Sequence, residues 1–451
     1  MGVDTSHERR VLVLGSTGSV GTQTLDVVDR LNELHARGLH PRRYRVVGLA
    51  AGRNIDLLRQ QASRFALPAS ALAIEREEGL DAGSLPRLRG RSAAEHLVRD
   101  VEADVVVAAI VGAAGLPSTL AAVELGRDVA LANKESLVAA GAVVVPAARR
   151  SGSRLLPVDS EHSAVWQCLK GERSSEASSM ASGSGGACAP IAASGAENAS
   201  TPVRDSGSWL CVPPCAAPRA VSKIILTASG GPFRTWTRDA IREATPEQAL
   251  RHPNWRMGAK ITVDCATLMN KGLELIEAHW LFGVGSDSLA AVVHPQSIVH
   301  ALVEFVDGTL LAQLAPPDMA APIRLALAFP DRPEATGAKR LSLTELGRLD
   351  FEPPDLNRFP ALGLARRVLE RPQTTLGAIV NAANEEAVMA FLDGERASRG
   401  VPRVRFGDIA TIAARVADEM ADQPVRTLHD VLAADAEARE RARRMCDQRM
   451  L

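Results

Sequence analysis

Two acidic side chains, Asp159 and Glu161, are separated by Ser160 alone in the stretch LLPVDSEHSA. If the chain is extended here, residues i and i+2 point to the same side and the two carboxylates face one another. At about 4 Å their repulsion costs roughly 1 kcal/mol in water and roughly 4 kcal/mol in a half-buried site. A shared proton, a basic side chain or a divalent cation must offset that cost.

A third acid lies in the stretch DCATLMNKGLELIEAHWLF, where Asn270 and Glu274 are four residues apart. If this stretch is helical, these two side chains share a face and Lys271 lies beside them. Asp159, Glu161 and Glu274 then form an all-oxygen set. Such a set suits Mg²⁺ or Mn²⁺ and argues against zinc, which prefers histidine or cysteine.

The stretch VLVLGSTGSVGTQTLDVV combines an apolar strand, a glycine-rich turn and the start of a helix. Glycines let the backbone approach a pyrophosphate, whose charge then lies at the helix N-terminus. The spacing G-x-x-G-x-x-G departs from the commoner G-x-G-x-x-G, so an ordinary glycine turn is the alternative. The next strand ends in GLAAGRN, with Gly52, Arg53 and Asn54 where an NAD enzyme carries an acid. A cation and an amide suit a 2′-phosphate, so the sequence favours NADPH.

Two further motifs place polar side chains where strands end. LANKES carries Asn133, Lys134 and Glu135 at the edge where open α/β sheets bind ligands. ILTASGGPFR carries Ser229 beside two glycines, whose free amides can hold an oxyanion. The serine motif therefore predicts a contact to an anion, whereas a lone Lys–Glu pair is usually a surface ion pair and gains weight only from its position.

A candidate lid lies near residues 244–258, where RHPNWRMGAK carries His252 and Trp255 in a polar loop. Exposing a tryptophan in such a loop is costly unless it closes over something, so we expect a substrate lid. A plain surface cluster is the alternative.

The elements that must position these motifs follow a simple order. Short apolar runs alternate with helical patterns over the first 150 residues, which predicts a parallel sheet. A second strand-rich region follows, and then a helical tail from about Ala361. Within the second region, a Ser-, Gly- and Ala-rich segment near 172–221 cannot bury enough apolar surface to order itself. We therefore expect this segment to be a mobile insertion.

Composition excludes several classes of partner. The 451 residues carry 52 basic and 53 acidic side chains, so no whole-protein field recruits nucleic acid or a membrane surface. The first residues contain no apolar segment, and the longest apolar run is too short to span a bilayer. Six cysteines give no disulfide framework; Cys211 and Cys215 could pair or bind a metal, but without a second ligand pair nearby we expect them to do neither. We therefore expect a cytoplasmic protein.

Nine motifs in one order carry a family resemblance that runs from about Arg10 to the C-terminus. They resemble the motifs of 1-deoxy-D-xylulose 5-phosphate reductoisomerases, and the low-complexity segment interrupts the match. The motifs are LGSTGSVGTQTLDVV, AAIVGAAGL, LANKESLV, LLPVDSEHSA, ASGGPFR, HPNWRMG, MNKGLELIEAHWLF, HPQSIVHALVEF and NAANEEAV.

The resemblance implies a homodimer of an α/β protein. Its Rossmann-like NADPH-binding domain would span 1–158, its α+β connective catalytic domain 159–335, and its linker and C-terminal helical bundle 336–451. It also implies an enzyme that uses NADPH and Mg²⁺ or Mn²⁺. The enzyme would rearrange and reduce the sugar phosphate 1-deoxy-D-xylulose 5-phosphate to 2-C-methyl-D-erythritol 4-phosphate, a step of non-mevalonate isoprenoid biosynthesis.

The resemblance also implies roles for single residues. The cation that offsets the acidic repulsion would be bound by Asp159, Glu161 and Glu274. Catalytic or substrate contacts would come from Lys134, Ser160, Glu161, Ser229, His252, Trp255, Cys265, Asn270, Lys271 and Glu274. Cofactor contacts would come from Thr17, Gly18, Ser19, Val20, Gly52, Arg53, Asn54, Asn133, Glu135 and Gly258.

One departure from the family pattern concerns the phosphate site. The family usually has serine in DSATMMNKG, whereas this chain has Cys265 in DCATLMNKG, a weak thiol donor in place of a hydroxyl. A semialdehyde dehydrogenase is an alternative that would need Cys265 as a nucleophile beside a histidine. An NADPH-sensing regulator would keep the glycine turn without the metal acids, and a metal-dependent aldolase would need no dinucleotide.

Overall fold

The computed structural model describes residues 8–76, 86–170, 212–255, 257–335, 339–394 and 404–448. The first seven strands are β1 (Arg9–Leu14), β2 (Tyr44–Ala51), β3 (Leu72–Ile74), β4 (Leu88–Arg89), β5 (Val105–Ala108), β6 (Asp128–Leu131) and β7 (Leu155–Pro157). They form one parallel sheet in the order β4-β3-β2-β1-β5-β6-β7. Residues 11–14 of β1 and all of β5 are continuous aliphatic runs because helices cover both faces of such a sheet. The predicted α/β, Rossmann-like fold is confirmed.

Five helices connect these strands: α1 (Ser19–Ala36), α2 (Ile55–Arg64), α3 (Ala93–Asp100), α4 (Leu116–Glu124) and α5 (Glu135–Ser151). The winding of the sheet reverses between β1 and β5, and open α/β sheets bind ligands at the carboxyl ends of the strands on either side of such a point. The glycine-rich turn follows β1 and lies at that point. Sheet topology therefore places the candidate dinucleotide site as the sequence predicts.

A second, smaller sheet follows helix α6 (Ser160–Cys168). Its strands are β8 (Val221–Ala228), β9 (Leu289–Val293), β10 (Val299–Phe305) and β11 (Leu310–Leu314). Their order is β11-β10-β8-β9, with β8 and β9 parallel and the other pairs antiparallel. Helix α6 packs on β10 and β11, so one face of the sheet is covered and β11 lies at its edge.

Helices fill the connections of this second region: α7 (Arg238–Arg242), α8 (Pro246–Ala249), α9 (Ala259–Ala266), α10 (Met269–Phe282), α11 (Ala320–Ala328) and α12 (Leu343–Leu346). Helix α10 packs against α5, where a Cβ at Gly141 would lie 2.3 Å from the ring of Trp280. Only glycine permits that approach. The close packing brings the first turns of α5 and α10 together.

The C-terminal part consists of α13 (Ala361–Glu370), α14 (Leu376–Leu392), α15 (Asp408–Glu419) and α16 (Leu428–Gln448), which confirms the predicted helical tail. Helix α14 is apolar on nearly all sides because it packs on α15, α16 and α5. A Cβ at Gly377 would lie 2.1 Å from the carbonyl oxygen of Val138, so α14 rests directly on the α5 backbone. Within the described residues, no helix is both long and apolar enough to cross a membrane.

Two features of the second region differ from what the sequence suggests. Residues 159–161 are not extended: Asp159 is the N-cap of α6, and Glu161 lies in the first helical turn. An acidic residue is favoured at both positions because the helix dipole is positive there.

The predicted mobile insertion is also too long at its C-terminal end. Residues 171–211 lie outside the described residues, but 212–220 are tied to the domain. The amide of Leu155 donates to the carbonyl of Pro213 (2.8 Å), and the amide of Cys215 donates to that of Leu281 (2.9 Å). Cys215 is buried and disulfide-bonded, against the expectation that it is unpaired.

Candidate active site

Three helix starts converge on one cavity of about 310 Å³. Lys134 is the N-cap of α5, Asp159 is the N-cap of α6, and Asn270 lies in the first turn of α10. Leu268, which precedes α10, has a φ of 60°, so the chain turns sharply there between α9 and α10. That turn points Asn270 and Glu274 into the cavity that Lys134 and Asp159 also line.

Lys134 is the centre of the buried polar cluster. Its Nζ lies 2.5 Å from Asp159 Oδ2 and donates hydrogen bonds to Asn270 Oδ1 (2.9 Å) and Glu274 Oε1 (3.0 Å). Burial disfavours the ammonium, but the carboxylates of Asp159 and Glu274 outweigh it and raise the pKa of Lys134 well above its usual range. Lys134 is therefore a fixed positive charge.

Lys271 makes a second bridge between the acids. Its Nζ donates to Glu161 Oε1 (2.8 Å) and pairs with the carboxylate of Glu274. Glu161 Oε2 also accepts a hydrogen bond from Ser160 Oγ (2.6 Å). Burial opposes the charge of Lys271, yet Glu161 and Glu274 raise its pKa.

The cluster still lacks positive charge. Three carboxylates, those of Asp159, Glu161 and Glu274, face the ammonium groups of Lys134 and Lys271. Burial raises the pKa of Glu274, and the neighbouring Glu161 raises it further. A further cation would stabilise the ionised form of this acid.

A divalent cation fits this arrangement. One carboxylate oxygen from each of Asp159, Glu161 and Glu274 lies within 4.8 Å of the other two. Oxygen donors at such spacing can close around one hard ion. The three sequence-predicted metal ligands are thus brought together, although they come from two distant segments of the chain.

A buried pair lies beneath the acids. His162 Nε2 donates to the carbonyl of Glu274 (2.8 Å), and His162 Nδ1 lies 3.4 Å from Glu277 Oε2. Burial raises the pKa of Glu277 well above its usual range, and the charge of Asp159 adds to that rise. Among the described residues, neither His162 Nδ1 nor the Glu277 carboxyl has a hydrogen-bond partner, so the two groups lie against each other as part of the floor of the site.

Ser229 and His252 meet on the other side of the cavity. Both Asn254 and Trp255 donate their backbone amides to His252 Nδ1, at 3.2 and 3.0 Å. Since Nδ1 accepts, the neutral ring carries its proton on Nε2 and donates it to Ser229 Oγ (3.0 Å). Ser229 Oγ also accepts from the amide of Gly231 (3.2 Å), so its own hydrogen remains for a ligand.

The two glycines after Ser229 allow the turn to approach α9. Gly231 has a φ of 65°, and a Cβ there would lie 2.9 Å from the carbonyl oxygen of Cys265. Cys265 lines the cavity together with Ser229 and Lys271. Burial raises the pKa of the Cys265 thiol, which keeps it protonated and weakens its case as a nucleophile.

Trp255 lines the same cavity and is half-buried rather than exposed. Its ring meets His300 edge-on, with 6.4 Å between ring centroids. Asn254 anchors the loop through its Nδ2, which donates to Ser297 Oγ (2.9 Å) and to the carbonyl of Pro295 (2.7 Å). The sequence motifs that contain Asn254, Ser297 and His300 predicted no role for these residues.

The glycine-rich turn reaches this cavity. Gly15 has a φ of 79°, and a Cβ at Gly21 would lie 2.2 Å from the Gly15 carbonyl, so both positions need glycine. Gly18 is the N-cap of α1 and is exposed, as is Ser19, while Thr17 is half-buried. Ser19 and Val20 line the cavity, so the free amides at the start of α1 adjoin the acidic cluster.

Four other residues that are predicted to contact the cofactor either follow β2 or precede α9. Gly52, Arg53 and Asn54 follow β2 outside the cavity; Arg53 is exposed, and Asn54 Oδ1 caps α2 by accepting from the amide of Leu57 (3.1 Å). Gly258 is the exposed N-cap of α9.

Two of the predicted cofactor contacts are buried and turned into the protein. Asn133 donates to the carbonyls of Ile110 and Gly112 (2.9 Å to the latter) and accepts from the amide of Ser136. Glu135 accepts from Lys260. Their side chains shape the edge of the site rather than lying open on it.

Comparison with known proteins gives a consistent match. A family model described as 1-deoxy-D-xylulose 5-phosphate reductoisomerase matches residues 11–141. A second model, for the C-terminal domain of that enzyme, matches residues 206–282. A third model, described as the DXP reductoisomerase C-terminal domain, matches residues 314–441. The chain is 44% identical to the 1-deoxy-D-xylulose 5-phosphate reductoisomerase of Cupriavidus metallidurans, covering 96% of this chain and 97% of that one. It is 43% identical to that of Chlorobaculum tepidum, covering 96% and 98%.

Solved structures agree. The Zymomonas mobilis reductoisomerase in complex with NADPH superposes with a TM-score of 0.75 at 38% identity, covering 98% of this chain and 100% of that chain. A reductoisomerase in complex with NADPH, fosmidomycin and magnesium gives 0.78 at 35% identity, covering 98% and 99%.

Proposed function

Because the chain belongs to the 1-deoxy-D-xylulose 5-phosphate reductoisomerase family, we propose how its own residues divide the work of that family's reaction. The enzyme rearranges 1-deoxy-D-xylulose 5-phosphate and reduces the product with NADPH to 2-C-methyl-D-erythritol 4-phosphate, in non-mevalonate isoprenoid biosynthesis. The resemblance seen in the nine motifs is confirmed. One observation carries the division of roles: the acidic cluster and the start of α1 line a single cavity.

The divalent cation would be held by Asp159, Glu161 and Glu274. When bound, Mg²⁺ or Mn²⁺ polarises substrate oxygens and stabilises negative charge that develops on them. Lys134 is a permanent ammonium whose three hydrogens face Asp159, Asn270 and Glu274, so its charge would stabilise a negatively charged substrate oxygen nearby without giving up a proton. Ser160 extends this polar wall on the α6 side.

The phosphate end of the substrate would lie at the opposite wall. Ser229 has a free hydroxyl hydrogen, because its oxygen already accepts from His252 and Gly231. Asn270 and Lys271 line the cavity between this wall and the acids, and Cys265 lies beside them. Trp255, held over the cavity by the His252 loop, would exclude water once substrate is bound.

NADPH would extend from the cavity along the carboxyl edge of the sheet. Its pyrophosphate would lie on the free amides at the start of α1, near Gly18, Ser19 and Val20. Arg53, which is exposed just after β2, would bind the 2′-phosphate, as NADPH rather than NADH requires. NADPH supplies the hydride for the reduction.

We infer that the enzyme is a homodimer. Among the described strands, β11 pairs only with β10, which leaves an open edge. Leu310 and Leu311 on that strand and Val306 in the preceding turn are exposed apolar side chains. An open apolar edge strand favours pairing with a second chain. Sedimentation equilibrium with Leu311→Lys against wild type tests this surface, and a variant that stays dimeric would exclude it.

We also infer a cytoplasmic location. Cys168 and Cys265 are free thiols, which favours a reducing compartment, whereas the disulfide of Cys215 is the observation that opposes it. Fractionation of cells that express the chain tests the inference, and recovery from the membrane or the exported fraction would contradict it.

The decisive assay follows NADPH absorbance with the purified protein, Mg²⁺ and 1-deoxy-D-xylulose 5-phosphate. We expect substrate-dependent loss of absorbance and formation of 2-C-methyl-D-erythritol 4-phosphate, identified by mass and NMR. Omission of substrate and of metal are the controls. Products of carbon–carbon cleavage without NADPH oxidation would instead indicate an aldolase, and phosphate-dependent aldehyde oxidation a semialdehyde dehydrogenase.

A further inference from the structure

A second buried charged cluster is built around Lys260 in α9. It lies behind the Gly112 turn and the first turn of α5, which together are called the cofactor edge. Its Nζ lies 2.9 Å from Glu135 Oε1 in α5, 2.9 Å from Asp264 Oδ2 and 3.9 Å from Glu385 Oε1 in α14. The Lys260 side chain is only 14% exposed, and that of Asp264 is 1% exposed. One ammonium therefore joins three elements from three distant parts of the chain.

The cluster continues into the C-terminal helices. Asn384 donates to Asp264 Oδ1 (2.8 Å), and Arg439 of α16 pairs with Glu385 (2.6 Å) and with Asp435 (2.7 Å). Most of these side chains are buried, so the contacts are poorly screened by solvent. The C-terminal helices are thus locked to α9 by paired charges as well as by apolar packing.

On its other side the cluster touches the cofactor edge. The Glu385 carboxylate lies against Gly112 in the turn after β5, where a Cβ would be 2.8 Å from Oε1. Gly112 has a φ of 73°, and its carbonyl accepts from Asn133 (2.9 Å). Glu135 directly follows the active-site residue Lys134. Residues of this cluster therefore touch the turn after β5, through Glu385, and the first turn of α5, through Glu135.

We propose that Lys260 and Glu385 are positioning residues through which the C-terminal helical domain fixes the cofactor edge, so that NADPH binding and the docking of that domain reinforce each other. This inference rests on the proposed use of NADPH. Removing one partner from a buried ion pair leaves a carboxylate without its counter-charge, and the surrounding groups must then move. Here the groups that would move are the Gly112 turn and the first turn of α5.

The test measures NADPH affinity without turnover, by fluorescence titration of the metal-free and substrate-free protein. We expect Lys260→Met to weaken NADPH binding about tenfold, which corresponds to roughly 1.4 kcal/mol. Lys260→Arg keeps the charge and is expected to recover most of the affinity. Lys339→Met, at an exposed lysine, is the matched control and should leave the affinity unchanged.

Hydrogen exchange gives the second measurement. In the wild type, NADPH should slow exchange in α14, a helix that contributes no residue to the cavity, and this protection should be lost in Lys260→Met and in Glu385→Gln. Glu385→Gln keeps the side-chain volume and serves if Lys260→Met does not fold. Unchanged affinity and unchanged protection in a variant with a lowered melting temperature would show a purely structural role and overturn the inference. A wild type that does not bind NADPH would instead refute the proposed function.

Discussion

His252 offers a prediction that separates its two ring nitrogens. Nδ1 holds the lid loop by accepting from the amides of Asn254 and Trp255, and Nε2 donates to Ser229. An asparagine at this position places its oxygen near the site of Nδ1, whereas a glutamine places its amide nitrogen near the site of Nε2. His252→Asn should therefore keep the lid anchor, and His252→Gln should keep the Ser229 contact.

The expected increase in KM depends on which of the two freed backbone amides water can reach. The amide of Asn254 is exposed, so water replaces its lost acceptor at little cost, while the amide of Trp255 is partly buried. Losing one such hydrogen bond costs about 1 kcal/mol, and the freed loop adds a further few tenths. We expect His252→Gln to raise KM for the sugar phosphate about tenfold and His252→Asn only a few-fold.

Steady-state kinetics and acrylamide quenching of tryptophan fluorescence distinguish the variants. The chain has five tryptophans, so Trp255→Phe is made in each background to isolate the Trp255 signal. His252→Gln should expose Trp255 to acrylamide, and His252→Asn should quench like the wild type. Equal quenching and equal KM in both variants would refute the lid anchor.

The anchor should also depend on pH. Burial lowers the pKa of His252 below its usual value near 6.5, and protonation at Nδ1 removes the acceptor for both amides. Because the folded form binds the proton more weakly, the closed loop loses stability as pH falls below about 6.5 and opens as pH passes the lowered pKa. Trp255 quenching should rise with acid in the wild type and stay flat in both variants; a parallel rise in the variants would assign the effect to another group.

Three other predictions concern ligand contacts. Chelation should abolish turnover and Mg²⁺ or Mn²⁺ should restore it, whereas Glu274→Gln should stay inactive at saturating cation; activity of that variant in chelator would exclude the acid as a ligand. Arg53→Ala should weaken NADPH by roughly 1.5–3 kcal/mol and leave NADH nearly unchanged, as measured by separate titrations, and equal losses would place Arg53 away from the 2′-phosphate. Cys265→Ser should lower KM for the sugar phosphate about fivefold with little change in kcat, since a hydroxyl donates more strongly to phosphate than a thiol does. An unchanged KM with a lowered melting temperature would show that Cys265 only packs.

Local patterns account for what the sequence could predict. The glycine turn, the strand before it and the helix after it lie within one short stretch, and the i, i+4 spacing of Asn270 and Glu274 needs only helix geometry. The extended backbone considered for 159–161 is not found because a helix begins at Ser160, and the same acids that suit a metal also suit a helix start. Composition alone could not locate the end of the insertion, since residues 212–220 are held by long-range bonds to Leu155 and Leu281.

The Lys260 cluster shows why positioning residues escape a motif search. Lys260 and Glu135 are 125 positions apart, and Asn384 and Asp264 are 120 apart, so no spacing rule connects them. In isolation each charged residue resembles one on a solvated surface, because the sequence does not record that α5, α9 and α14 pack together. The motif NAANEEAV resembles that of the family but predicts no role for Glu385, although that acid contacts the turn after β5. Ligand contacts can be predicted from the chemistry of a short stretch, whereas the residues that hold α5, α9 and α14 together become visible only once these helices are docked.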